Sequence, residues 1–383
     1  MKVFISVASL FMIVLASGCL GSSRSSIPPT LAFVYTVGSG SNSINALGEQ
    51  STGQLVPLSI SFFPTNPRPA SLALHPSKNF LYATSLTANT VSGFTIDHTG
   101  GVLTPIGTAA IPTPVCASTS VCANPISMGI NSAGQFLVIL NQGVPAPATV
   151  VPASISVFSI DTTRGLLTPV AGSPFAFPSL VAGNSQALLM PPNGNVFYVS
   201  NGVSGTISAF SIGSGGTLTE IAGSPFTAGT NITGMATDPK GQFLYASDFA
   251  SNTIASFSIQ TSGTLTPVAG SPFPTNAGPF ALAVDAKGAF LFSTGQISAT
   301  VTVFSINSGV LTQVAGSPFP LVASGTPQPA FATVDVSNTF LYVANPGTRN
   351  ISVFTIKPDG TLVPLVNSPF NESVGPQWIV TTQ

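Results

Sequence analysis

The sequence predicts an all-β fold: a seven-bladed β-propeller of four-stranded antiparallel blades, closed by the C-terminal strand pairing into the N-terminal blade. Three observations predict it. One unit recurs along the chain, most plainly as "GMATDPKGQFLYASDFASNTIASFSIQTSGTLTPVAGSPF" (Gly234–Phe273) and "ALAVDAKGAFLFSTGQISATVTVFSINSGVLTQVAGSPF" (Ala281–Phe319). Its register residue falls at Tyr35, Tyr82, Val138, Tyr198, Tyr245, Phe292 and Tyr342, with gaps of 47, 56, 60, 47, 47 and 50 residues. A near-constant period of that size marks a repeat architecture. Finally, each unit holds four short β patterns split by Gly, Asn, Asp and Pro turns, the mark of a propeller blade.

Within a unit the four patterns read in order. In the copy from Gly234 the first is "GMATD", closed by the turn "DPKG". Equivalent first strands ("SLALH", "SMGIN", "ALAVD", "FATVD") are rich in small residues, which suit the crowded wall of a central channel. The second, "QFLYAS", carries the register residue. The third, "TIASFSI", is apolar on both faces (Ile254, Phe257, Ile259), as a strand covered by neighbouring blades should be. The fourth carries Pro57, Pro105, Pro169, Pro267 or Pro364 in most copies. Proline cannot donate to a ladder and blocks edge-to-edge pairing, so this strand is outermost.

Full units begin near Ala70, Ile126, Ser185, Gly234, Ala281 and Ala330. Before them, "LAFVYTV", "SINAL" and "GQLVPL" supply strands two to four only. After them, "PQWIVTTQ" (Pro376–Gln383) supplies a lone first strand. The two ends together make the seventh blade, with Trp378 as a core anchor at the closure seam.

Residues 1–18 have the layout of a signal peptide: Lys2, then an apolar run from Val3 to Leu15, too short for a comfortable span. "LASGC" (Leu15–Cys19) resembles the bacterial lipobox, although Leu15 sits one place early. The resemblance implies a lipidated Cys19; an ordinary signal peptide with an incidental cysteine is the alternative. Residues 19–30 then form the lipidated Cys and a flexible tether, and 31–383 a single propeller. The implied location is the bacterial cell envelope, with membrane attachment through the lipid alone. Cys116 and Cys122 lie six residues apart in a segment bound for an oxidising compartment, which predicts a loop-closing disulfide. No His or further Cys is near enough for a zinc site, and no cofactor motif is found.

Charged residues are only 5% of the chain, against about 25% in ordinary soluble domains. With Lys2 removed, eight basic residues face ten acidic ones. There is no basic patch, so nucleic acid is excluded as a partner.

The steps "FYVSN" (Phe197–Asn201) and "LYVAN" (Leu341–Asn345), with the "GxLT" fourth strand, resemble the bacterial seven-bladed lactonase-type propellers, a group that includes 6-phosphogluconolactonase-like and YVTN-repeat proteins. The resemblance covers roughly Leu31 to Gln383. It implies the fold, and, more weakly, hydrolysis of a sugar lactone. Lactonase-type relatives carry His and Arg around a "GPRH"-like start of the inner strand. The matching places here read "RPAS" (Arg68–Ser71), "NPIS" (Asn124–Ser127), "GPFA" (Gly278–Ala281), "QPAF" (Gln328–Phe331) and "GPQW" (Gly375–Trp378), all without His.

Alternate connections of a propeller lie on opposite faces. Turns 1–2 and 3–4 form a turn face; connections 2–3 and 4–1 form a loop face around the channel mouth. Twelve charged residues map to the turn face: Glu49, Lys78, Asp97, Asp161, Arg164, Asp238, Lys240, Asp285, Lys287, Asp335, Lys357 and Asp359. Both histidines, His75 and His98, map there too. The recurrent Asp of "DPKG" and "DAKG" reads as a turn cap rather than a catalytic acid. Only Arg68, Asp248, Arg349 and Glu372 map to the loop face. They are the catalytic candidates: the arginines as anion binders, the carboxylates as bases. Solvated charges are the plainer account of each. Asn184 and Asn231, at starts of inner strands, suggest calcium, but no carboxylate adjoins them. Two long connections, Gly107–Asn124 and Asn141–Ser154, lie on neighbouring blades of the loop face and could hold a ligand or envelope partner. The sequence therefore leaves two functions: an envelope binding module, or a lactonase with its site at the loop-face mouth.

Overall fold

Seven antiparallel sheets form a ring in the computed structural model. The structure describes residues 30–38, 40–107, 111–112, 124–145, 151–192, 194–321, 325–373 and 375–382. Cys19, Cys116 and Cys122 lie outside these residues, as do the tether and most of the Gly107–Asn124 connection.

Blade five shows the plan. Its strands run from the channel outward as Ile232–Thr237, Phe243–Asp248, Thr253–Ile259 and Leu265–Pro267. The proline-bearing strand is the outer edge, as expected. Blade one combines Thr30–Val37, Ser43–Gln50 and Leu55–Pro64 with the C-terminal Trp378–Thr381 as its inner strand. The closing register is Val34↔Thr381, Tyr35↔Val380, Thr36↔Ile379 and Val37↔Trp378.

The fourth strand is shorter than its sequence pattern, only three residues in blade five. It leaves the rest of the third strand's edge free. The repeated "GSPF" covers that edge. Ser271 Oγ accepts the Ser256 N–H at 2.9 Å, and Phe273–Pro274 pairs with Thr253 and Ile254. The same serine contact recurs at Ser173, Ser224, Ser317 and Ser368. A backbone donor that would otherwise be buried without a partner is thereby satisfied.

Three register tyrosines tie their blade to the next. Tyr35, Tyr82 and Tyr198 donate to the carbonyls of Gly101, Gly165 and Gly263 at 2.8, 2.8 and 2.9 Å. These glycines sit in 3–4 turns with positive φ. A Cβ there would collide with the neighbouring blade; at Gly360 (φ 85°) it would lie 2.4 Å from the Phe290 ring. Burial of the tyrosines pushes their ionisation up, so they remain neutral donors.

The first-turn acids are turn caps. Asp238 Oδ1 accepts the N–H groups of Gln242 and Phe243 at 2.6 Å each. Asp285 and Asp335 repeat the contact. His75 takes the same place in blade two: Nδ1 meets Ser77 Oγ at 2.7 Å, and Nε2 meets the Gly134 carbonyl at 2.9 Å.

Candidate functional site

The small side chains of the inner strands leave an axial cavity of about 780 Å³. Its wall comes from the inner strands of blades four to seven and from the closing strand. Four glutamines gather at the loop-face end. Gln186 stands at the start of an inner strand, Gln377 and Gln328 just before one, and Gln296 just after a second strand. Three aromatic rings, Phe280, Phe331 and Trp378, share the wall, and Phe331 stacks on Trp378 with centroids 4.4 Å apart and planes at 30°. Trp378 thus does more than anchor the seam, because it is half-buried and faces the cavity. No ionisable side chain belongs to the described lining.

The four charged loop-face candidates lie outside that lining. Asp248 ends the second strand of blade five and is 1% exposed. Its carboxylate accepts the N–H groups of Thr230, Asn231, Ala250 and Ser251 at 2.8 to 3.3 Å, and the Thr230 hydroxyl at 2.9 Å. Burial pushes this carboxyl up, but the donors outweigh it and hold it below the usual range. A carboxylate so occupied fastens two loops and has no lone pair to spare for a substrate proton.

Arg68 and Arg349 are exposed, and backbone geometry explains their positions. Arg68 has φ 56° and its carbonyl accepts Leu86 N–H at 3.0 Å. Gly278 has φ 67° and accepts Gln296 N–H in the same way in blade six. Arg349 (φ 54°) matches Asn252 (φ 56°) and Ala299 (φ 53°), each accepting a main-chain N–H from the strand-edge segment.

Glu372 is the exception. It receives Thr36 Oγ1 at 2.8 Å and Asn45 Nδ2 at 3.0 Å on Oε2. Burial raises its ionisation above the ordinary carboxyl range, against the two donors. Of the four candidates the structure joins only Arg349 and Glu372, through the Glu372 N–H to Arg349 carbonyl bond of 2.8 Å. Asn184 is engaged with Val203 N–H at 2.6 Å. The described ends of the Asn141–Ser154 connection are bridged by Val144 and Val151.

Sequence reasoning missed the glutamines because it sorted charges. The available signal was positional: Gln at or beside the start of three inner strands.

The profile of the family "Lactonase, 7-bladed beta-propeller" matches residues 27–182 and 186–322. The chain belongs to this family. No curated protein matches it. Among solved structures, the periplasmic gluconolactonase of Pseudomonas aeruginosa is similar at 16% identity, with 92% of this chain and 99% of that chain covered and a TM-score of 0.75. A candidate 6-phosphogluconolactonase of Bacteroides fragilis gives 18%, 92%, 98% and 0.73. A functionally unknown protein of Desulfotomaculum acetoxidans gives 18%, 92%, 99% and 0.70. At such identities the likeness establishes the fold.

Proposed function

We propose that this lactonase-family propeller is a binding module of the bacterial cell envelope, exported and held by a lipid on Cys19. Its ligand enters the loop-face mouth of the axial cavity. One observation carries the reading: the described lining combines glutamine amides with aromatic faces and contains no ionisable group. Amides offer donors and acceptors without charge, and a stacked ring pair offers an apolar platform. Such a wall suits a neutral, hydroxyl-bearing molecule. It has no general base to activate water and no cation for a developing oxyanion, both of which lactone hydrolysis would use.

The second reading is a sugar-lactone hydrolase. Family membership and the gluconolactonase among the structural neighbours favour it. One experiment separates the two. Trp378 is the only tryptophan and lines the cavity, so its fluorescence can be titrated with neutral saccharides and with glucono-δ-lactone, while hydrolysis of the lactone is followed by acid release. The binding reading expects saturable quenching without turnover, weakened about tenfold or more in Gln377→Ala, since losing a hydrogen bond at a partly dry site costs 1–2 kcal/mol. Turnover above the spontaneous rate that collapses in Arg68→Ala or Arg349→Ala would establish the hydrolase instead.

A further inference from the structure

The junction between blades seven and one differs from the other blade junctions in two residues. In the third strand, the residue paired with the leucine of the fourth strand is Ile96, Ile160, Ile212, Ile259, Ile306 or Ile356 in blades two to seven. In blade one that place holds Glu49, paired with Leu55 and 2% exposed. On the other face, the residue whose N–H bonds back to the start of the third strand is Thr65, Ala228, Thr275 or Leu321 in four other blades. At the junction it is Glu372. Both substitutions put a carboxyl where the repeat has a neutral side chain, and both lie where blade one meets blade seven.

Glu372 bridges the junction, and Glu49 is buried within it. Glu372 leaves blade seven and is hydrogen-bonded by Thr36 and Asn45 of blade one. Asn45 is 4% exposed, and its Oδ1 has no partner. Glu49 belongs to blade one and sits close to Tyr342 of blade seven, whose hydroxyl is itself buried without a hydrogen-bond partner, whereas Tyr35, Tyr82 and Tyr198 reach a glycine carbonyl. Glu49 Oε2 is buried without a partner. The closing strand Trp378–Thr381 pairs with Thr30–Val37, where Thr36 lies opposite Ile379 and also donates to Glu372.

We infer that this junction is a proton-operated latch: with Glu49 and Glu372 protonated the closing strand is held fast, and their ionisation loosens it. An ionised carboxylate in a dry junction costs free energy unless a cation or several donors compensate it. The groups facing Glu49 from blade seven are Tyr342 and Asp335, an acid that adds repulsion. Burial, with Asp335 adding and Tyr342 opposing, pushes Glu49 up to about 7. Facing Glu372 from blade one are the neutral Thr36 and Asn45; from its own blade, Arg349 supplies a carbonyl while remaining exposed. Burial pushes Glu372 up as well. These are the two acids so raised among the described residues; Asp97, Asp161, Asp248 and Asp359 are lowered. The latch has a consequence for the cavity, because Gln377 and Trp378 come from the loosened segment.

The test is amide hydrogen exchange of the full chain from pH 5 to 8.5, corrected for intrinsic rates. The peptide covering 376–382 is compared with the inner strand Ile232–Thr237, an internal reference with no raised acid beside it. The expected result is a relative loss of protection of roughly tenfold or more across this range, since one unit of pKa difference is a factor of ten. The Glu49→Gln/Glu372→Gln double variant should show a flat ratio. A flat ratio in the wild type, or an undiminished fall in the double variant, overturns the latch. Should the double variant not fold, acrylamide quenching of Trp378 in the wild type decides: accessibility rising with pH supports the latch, and pH-independent quenching overturns it.

Discussion

Deleting residues 376–383 should unfold the whole ring rather than fray one end. The deletion removes the four-pair ladder between Trp378–Thr381 and Thr30–Val37. It also removes three further hydrogen bonds: Gln377 N–H to Val37 O (2.7 Å), Thr382 N–H to Phe33 O (2.8 Å) and Phe33 N–H to Thr382 Oγ1 (3.0 Å). Ile379 is 1% exposed, and Trp378 and Val380 pack against the core around Tyr35. Each backbone bond contributes about 1 kcal/mol net, and burying an Ile or Trp side chain about 1.5–3 kcal/mol. The loss is therefore roughly 6–10 kcal/mol, the size of a whole domain's stability. It also opens one strand edge, since blade one loses its inner strand and Thr30–Val37 is left unpaired on the channel side. The assay is urea or thermal unfolding followed by circular dichroism, with the oligomeric state checked by light scattering. A truncated protein that stays monomeric and melts within a degree or two of the parent would refute the closure argument.

Other expected outcomes are more local. Gly360→Ala puts a Cβ 2.4 Å from the Phe290 ring at φ 85° and should cost roughly 2–3 kcal/mol in urea unfolding. Tyr82→Phe leaves the Gly165 carbonyl without its 2.8 Å donor and should cost about 1–3 kcal/mol. Glu49 is raised from 4.5 to about 7 in the folded protein. The folded state then holds an extra proton between those values, so wild-type stability should fall as pH rises from about 4.5 to 7, and Glu49→Gln should remove that slope in melts taken across the range. Intact mass after alkylation without reductant should show no labelled thiol at Cys116 and Cys122; two labels would exclude the disulfide.

Most of the fold was legible because propeller repeats state their rules many times over. Tyr82, Tyr198 and Tyr245 marked the period, the edge prolines marked the outer strand, and the unmatched ends predicted the closing strand. The first-turn acids were legible for the same reason: a recurring Asp238, Asp285 and Asp335 had to be turn chemistry. What escaped notice was set by partners distant in sequence. "GSPF" reads as a loop until Ser271 is seen taking an N–H from Ser256 fifteen residues earlier. Glu49 was sorted with the surface charges of the turn face. It is buried, because it stands on an isoleucine position of the blade. The cavity glutamines stayed hidden because neutral amides carry no signature until inner strands bring Gln186, Gln328 and Gln377 to one cavity.

The same comparison between blades bears on catalysis. Arg68 and Arg349 occupy left-handed backbone positions that other blades fill with Gly278, Asn252 and Ala299. Those positions are demanded by hydrogen bonds of the main chain, which accept any residue able to bear the strain. A guanidinium there is a side chain added to a scaffold site, at the rim, and both point of attachment and exposure come from the scaffold. Glu49 and Glu372 are different in kind. They replace side chains that the repeat keeps neutral; Glu49 is withdrawn from water and Glu372 partly so, at a cost that nothing in blade packing requires. Departures from a repeat are informative when they are expensive, and by that measure the chemistry peculiar to this chain is concentrated at the junction of blades seven and one, beside the strand that carries Trp378 into the cavity.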